Sequence, residues 1–337
     1  MCVPKSHHLI PQTYLRSWCF SGESIYCFNK NELFDPIIKN IANNFGQNNY
    51  HSIRAGMACC TDEDLAEIFK SLLGFRIKFD DKDLNTLQEY NRYYYDFNNW
   101  EIFYPKGAKV SRAEVNRIKA DIERNKVLDI EEMWNMKYEN GWNTLLQMIE
   151  QRIKDATGTE IDEFYKGRLM KFIVSLDWRS LISNESLNET FDFINTLIDL
   201  KSIDIPFDER NVRGNETAYD EVKHNYLLKQ FALFLEDRGI MYDAAKGYIK
   251  YLTIKFIVCN GESLFITSDN PSFISNENGE VRHYMPVTPQ ILICIEKDSQ
   301  HKQKYYIERI KDSEVKRLNL LIAKSADEII ISKTDNI

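Results

Sequence analysis

Tyr251-Leu-Thr-Ile-Lys-Phe-Ile-Val-Cys259 decides the fold class, because here the apolar spacing drops from helical toward a period of two. Asn260-Gly261 follows, and Leu264-Phe-Ile-Thr267 resumes the strand pattern, so the pair predicts a hairpin. Downstream, Val281-Arg-His-Tyr284, Ile291 to Glu296 and Tyr305 to Arg309 read as further strands, with Asn276-Glu-Asn-Gly279 as a turn. Lys311 to Ser325 carries Val315, Leu318, Leu321 and Ile322 at helical spacing, before a last strand from Glu328 to Ser332.

Upstream the texture is helical. Thr61-Asp-Glu-Asp-Leu has the form of a helix start with an acidic first turn. Stripes at helical spacing follow: Leu65, Ile68, Phe69, Leu72 and Leu73, then Val115, Ile118 and Ile122, then Leu145, Leu146, Met148, Ile149 and Ile153. Phe164 to Ile182, Phe191 to Leu200 and His224 to Leu235 add helices, with a break at Ile203-Asp-Ile-Pro206. Near the N-terminus Pro11 suits a helix first turn, Ser24 to Asn29 alternates as a strand, Asn29-Lys-Asn31 turns, and Phe34-Asp-Pro36 opens a loop toward Asn49-Tyr50. The expected fold is α+β. A mainly helical middle, 61–248, lies between mixed ends, 1–60 and 249–337, that pack together, and the whole, 1–337, is expected to share one core.

Composition narrows the function. With 43 Lys and Arg against 51 Asp and Glu the net charge is −8, and 43% of residues are hydrophobic. Collagen, disorder and small disulfide scaffolds are excluded. The acidic balance speaks against a general nucleic-acid coat, while leaving room for a local basic cleft. No apolar run approaches the roughly 20 residues of a membrane span. The segment before Pro11 carries Lys5, His7 and His8 and lacks an apolar stretch, so no secretory signal is expected and the chain reads as cytoplasmic. Seven cysteines without CxxC spacing fit a reducing compartment. Phosphate-binding Gly-rich loops, GxSxG and HExxH are missing from the sequence, which disfavours kinases, dehydrogenases, serine hydrolases and zincins.

Two clusters could carry chemistry. His7 and His8 precede a helix with Arg16 beyond them, a pattern that could hold phosphate or a metal. Adjacent histidines diverge, so one at most faces a given site, and a buried structural histidine fits equally. His-His-Leu-Ile-Pro is superficially similar to the His-bearing strand of HNH nucleases, without the downstream Asn and His of that finger. The second cluster, Ser268-Asp269-Asn270-Pro271, ends a strand; Asp269 could act as base, metal ligand or anchor for a histidine. The same four residues are also good turn chemistry. In Met285-Pro-Val-Thr-Pro289, Thr288 suits a cap. Asp177-Trp178-Arg179, Glu139 and Glu150 rank lower, Asn319 suits a hydrogen bond to a loop, and Tyr93 to Tyr95 with Arg92, Trp100 and Tyr104 suit packing more than base stacking.

His7, His8, Pro11, Tyr14, Leu15, Arg16 and Trp18, then Ser268 to Pro271, then Pro286 to Pro289, in that order, resemble the bacterial "domain of unknown function" family numbered 4238. Lys39 to Ala42 before Tyr50, and Leu318-Asn319 with Ala326, extend the resemblance over nearly the whole chain. Membership implies that the two end clusters meet in space. On that basis His7 or His8, Asp269 and Asn270 are expected to form a catalytic cleft, with Arg16, Ser268 and Thr288 binding substrate. The reaction expected is hydrolysis of a phosphodiester, metal-assisted and nuclease-like, as in a toxin or antiphage effector, with a divalent metal of unknown identity. The alternative is a non-enzymatic module binding protein or nucleic acid, in which the motifs are structural.

Overall fold

The computed structural model describes residues 6–180, 187–207, 210, 212, 214–277, 279–297 and 303–337. Cys2, Lys5, Ile182 and Asn278, which figure in the sequence reading, lie outside the described residues. Helices and strands are both abundant, giving the α+β class expected. The chain forms two compact units: Met1–His7, Asn48–Glu132 and Phe193–Ala232 make one, and His8–Gln47, Met133–Asp192 and Leu233–Ile337 make the other.

The second unit holds the sheets that the C-terminal pattern announced. A six-stranded sheet runs in the order Glu160–Asp162, Lys304–Ile310, Leu252–Cys259, Ile291–Lys297, Glu280–Thr288, Phe273–Glu277. Leu252–Cys259 sits inside it, antiparallel to Ile291–Lys297 and parallel to Lys304–Ile310. It is covered on both faces as well: Ile254 and Phe256 are fully buried on one, and Thr253 and Ile257 are buried on the other. Its place between two neighbours overturns the hairpin. Both edges of the strand are taken, so the chain beyond Asn260-Gly261 has no ladder to rejoin. Asn260 N–H instead bonds the Ile310 carbonyl at 2.9 Å, and Thr267–Ser268 joins a different sheet. Gly261 serves a close approach here, since a Cβ would collide with the Asp312 carboxylate.

That other sheet is antiparallel and four-stranded, in the order Thr267–Ser268, Ile329–Ser332, Ser24–Asn29, Glu32–Asn40. It packs the two ends of the chain together within this unit. Helix Asp312–Ser325 turns Val315, Leu318 and Ile322 into a core with Phe28, Phe265, Phe273, Tyr284 and Ile330. The loop expected from Phe34 is a strand instead. The Asn29-Lys-Asn31 turn folds Glu32–Asn40 back along Ser24–Asn29, and a bulge takes up the slack where Cys27 faces Ile37 but Asn29 faces Glu32. Because this strand's hydrophobic residues are exposed, it lacks the alternation that betrays a half-buried one.

In the first unit, helices Asp62–Ile68 and Leu87–Arg92 each open on a capping box, Thr61 with Asp64 and Thr86 with Glu89. Helix Arg112–Asn125 buries Ile118 and Ile122. Strands Ser52–Arg54 and Val127–Asp129 pair antiparallel, and Arg76–Phe79 pairs with both Lys82–Leu84 and Glu101–Phe103. The aromatic group packs as expected: Tyr94 stacks on Phe97 at 5.4 Å, and Trp100 closes on Phe97 edge-on.

Candidate functional site

The motifs that carry the family resemblance are joined through Tyr14. It lies on the short helix Gln12–Leu15 that Pro11 initiates, and it is fully buried. Burial holds its phenol protonated. The Tyr14 hydroxyl therefore donates to the Pro286 carbonyl at 2.6 Å and accepts from Thr267 Oγ1 at 2.7 Å. One hydroxyl thus joins the N-terminal motif, the strand leading into Ser268-Asp269-Asn270-Pro271 and the Pro286 to Pro289 segment.

The polar residues of the second cluster turn inward on the backbone. Asp269 Oδ1 accepts from the amide of Asp327, and Oδ2 from those of Glu328 and Ile329, each at 2.8 Å. Burial pushes its carboxyl above the usual range and Asp327 adds to that, while the three N–H donors pull the other way. Ser268 Oγ donates to the Asn270 carbonyl at 2.9 Å, and Asn270 Nδ2 donates to the Ser325 carbonyl at 2.8 Å, capping the end of helix Asp312–Ser325. Thr288 Oγ1 accepts from Gln290 N–H, the cap expected of it. Asn319 bonds the loop, accepting from Ile266 N–H at 3.2 Å and donating to the Leu264 carbonyl at 2.9 Å. A pocket of about 50 Å³ lined by Leu9, Ile10, Phe45, Asp269 and Asp327 opens beside the carboxylate. Substrate pockets typically measure about 300–1,000 Å³, so this one has room for little more than water.

The N-terminal histidines diverge, as adjacent strand residues must. His8 accepts from Gln12 Nε2 at 2.9 Å, and its carbonyl receives the buried guanidinium of Arg179, which also pairs with Glu139. Glu139 ends a π-turn, Asn135–Glu139, that widens the helix locally. Arg16 is exposed at the end of helix Gln12–Leu15.

His7 is 1% exposed and belongs to a cluster the sequence did not reveal. Its ring stacks on His51 at 5.5 Å, and its Nε2 faces Asp129 Oδ1 at 3.3 Å and Glu131 Oε2 at 3.8 Å. Ligand atoms of His7, His51 and Glu131 lie within 4.8 Å of one another, the spacing of a metal site. The hydrogen-bond logic opposes that use. His7 Nδ1 accepts the backbone N–H of His51 at 2.6 Å, so the proton of a neutral ring sits on Nε2. A histidine that ligates through Nε2 needs a lone pair there and usually donates from Nδ1. Here the donor and acceptor ends are reversed. His51, Asp129 and Glu131 come together because Ser52–Arg54 pairs with Val127–Asp129, a long-range pairing of short strands that left no motif.

A second buried chain was also missed. Ser272 Oγ meets His283 Nε2 at 2.7 Å, and His283 Nδ1 meets the Tyr248 hydroxyl at 3.1 Å. Burial drives His283 down to about 4, so it is neutral. Asp177, close enough to raise Tyr248, is itself pushed up to about 7 by burial. Ser272 has no exposed surface, and the pair offers a substrate no approach.

Fold and site together define a mixed α+β protein whose terminal motifs are locked to each other at a single buried tyrosine. The chain belongs to the protein family of unknown function DUF4238, whose family model matches residues 6–336. No curated protein and no solved structure matches it. Among the described residues, no helix is long and apolar enough to cross a membrane.

Proposed function

We propose that this chain is a protein-binding module and that the residues carrying its family resemblance hold the fold together instead of turning over a substrate. The observation that supports this is Asp269. A general base or metal ligand needs its carboxylate directed at a reacting atom, and this one is engaged by three consecutive backbone amides. Ser268, Asn270 and Thr288 are likewise turned to the main chain. A protein partner suits a surface of net charge −8 on which Phe34, Phe193, Leu197 and Ile198 are exposed.

Metal-assisted hydrolysis is the second reading, favoured by the spacing of His7, His51 and Glu131 and opposed by the tautomer of His7. One experiment separates the two. Wild type, Asp269→Asn and His7→Gln are assayed for hydrolysis of bis(p-nitrophenyl) phosphate with Mg²⁺, Mn²⁺ or Zn²⁺, and melted in parallel. The binding reading expects no metal-dependent turnover in any of them and a lower melting temperature in both variants. Turnover by the wild type that disappears in a folded Asp269→Asn or His7→Gln protein establishes the hydrolase instead.

A further inference from the structure

Glu32–Asn40 is an edge strand: one side pairs with Ser24–Asn29 and, among the described residues, no strand pairs with the other. Phe34 is 88% exposed, Ile37 64% and Ile38 58%. Ile37 and Ile38 are neighbours and so stand on opposite faces, which leaves the strand bare on both faces as well as along its outer edge. Charge and proline guard such edges against indiscriminate pairing, and this strand carries Asp35, Pro36 and Lys39. Here the charges select the recruit.

When one strand pairs antiparallel with its own copy about a two-fold axis, the residue numbers across the seam add to an even constant. An odd sum would put the same side chain on opposite faces in the two copies. An axis through Asp35 sets Asp35 against itself. One through Pro36 sets Asp35 against Ile37 and Lys39 against Leu33, and one through Ile38 sets Asp35 against Ile41. An axis through Ile37 sets Asp35 of each copy against Lys39 of the other, Pro36 against Ile38, and Ile37 against itself. Opposite charges facing across a seam stabilise it, and like charges destabilise it.

We propose that the chain self-associates by antiparallel pairing of Glu32–Asn40 with the same strand of a second copy, centred on Ile37 and flanked by two Asp35–Lys39 pairs. Asp35 is exposed, and Lys39, which rests with Nζ 5.7 Å from the Phe45 ring centroid, exchanges that contact for the carboxylate across the seam. Pro36 has no N–H and can contribute only its carbonyl. A seam one strand wide is small beside standard interfaces of about 1,600 Å², so the dimer forms in the micromolar range. Self-association stands apart from the binding reading above, because a hydrolase could pair in the same way.

Sedimentation equilibrium of the whole chain tests it. Wild type forms a dimer as concentration rises. Asp35→Lys alone and Lys39→Asp alone each weaken it by about tenfold or more, since each sets like charges across the seam twice. An equimolar mixture of those two variants restores a dimer, now mixed, and Ile37→Lys abolishes association in every background. All three positions lie on the edge strand, and unchanged melting confirms that the variants fold. A wild type that stays monomeric, a dimer indifferent to both reversals, or a mixture that fails to reassociate overturns the proposal and leaves the edge to a strand from another protein.

Discussion

Asp269 offers about four acceptor positions and uses three of them on the amides of Asp327, Glu328 and Ile329. Removing the side chain leaves three donors seeking water in a half-buried corner. Asp269→Ala is expected to cost about 2–4 kcal/mol of stability, measured by urea unfolding, whereas Asp269→Asn, which keeps one acceptor, costs less. At this scale the sequence was legible as chemistry and ambiguous as purpose. Ser-Asp-Asn-Pro is written identically for a catalytic turn and a structural one, and only the direction of the Asp269 oxygens separates them. For His7 the decisive fact is a single main-chain N–H from His51, which no side-chain pattern encodes.

Elements meet at Tyr14, whose hydroxyl bonds Thr267 and Pro286 from the helix Gln12–Leu15. Tyr14→Phe keeps the ring volume and deletes both bonds, leaving the Pro286 carbonyl without that donor. A loss of about 1–3 kcal/mol is expected in the same unfolding measurement, with the far-ultraviolet spectrum unchanged. Many elements were readable from periodicity: Asp312–Ser325 matches its apolar stripe, and Thr61 caps its helix as the acidic first turn announced. The short strands of the middle, such as Ser52–Arg54 and Val127–Asp129, were not, and two further stretches were misread. Leu264 to Thr267 follows Asn260-Gly261 and still does not return along Leu252–Cys259, because two other strands hold those edges. Glu32–Asn40 hides because exposed apolar residues on both faces leave no period to detect.

Stability against pH belongs to the whole molecule and differs between its units. In the first unit, His224 is driven from 6.5 to about 4 by burial, so the unfolded chain takes up a proton below pH 6.5 that the fold refuses. Its contribution is therefore lost as pH falls from 6.5 to 4. In the second unit His283 does the same, but Asp177 opposes it. With a folded pKa of about 7 against 3.8 unfolded, Asp177 keeps a proton in the fold that the unfolded chain releases, and its contribution falls as pH rises from about 4 to 7. The two slopes nearly cancel between pH 4 and 6.5. Asp177→Asn removes one of them, and the second unit then loses up to about 1.4 kcal/mol per pH unit of acidification in that window, read by melting across a pH series.

Strand Ile329–Ser332 occupies the middle of the four-stranded sheet, between Thr267–Ser268 and Ser24–Asn29, and Asp269 grips its first residues. On the ribosome that arrangement imposes a wait. Ser24–Asn29 emerges first, and the strand that must lie beside it follows roughly 300 residues later, about 15–60 s at synthesis rates of 5–20 residues per second. Throughout that interval the inner edge of Ser24–Asn29 and the apolar outer edge of Glu32–Asn40 are both open to other nascent chains. A cell making this protein has reason to hold the Ser24–Asn40 ribbon in a chaperone until Ile329–Ser332 has been made.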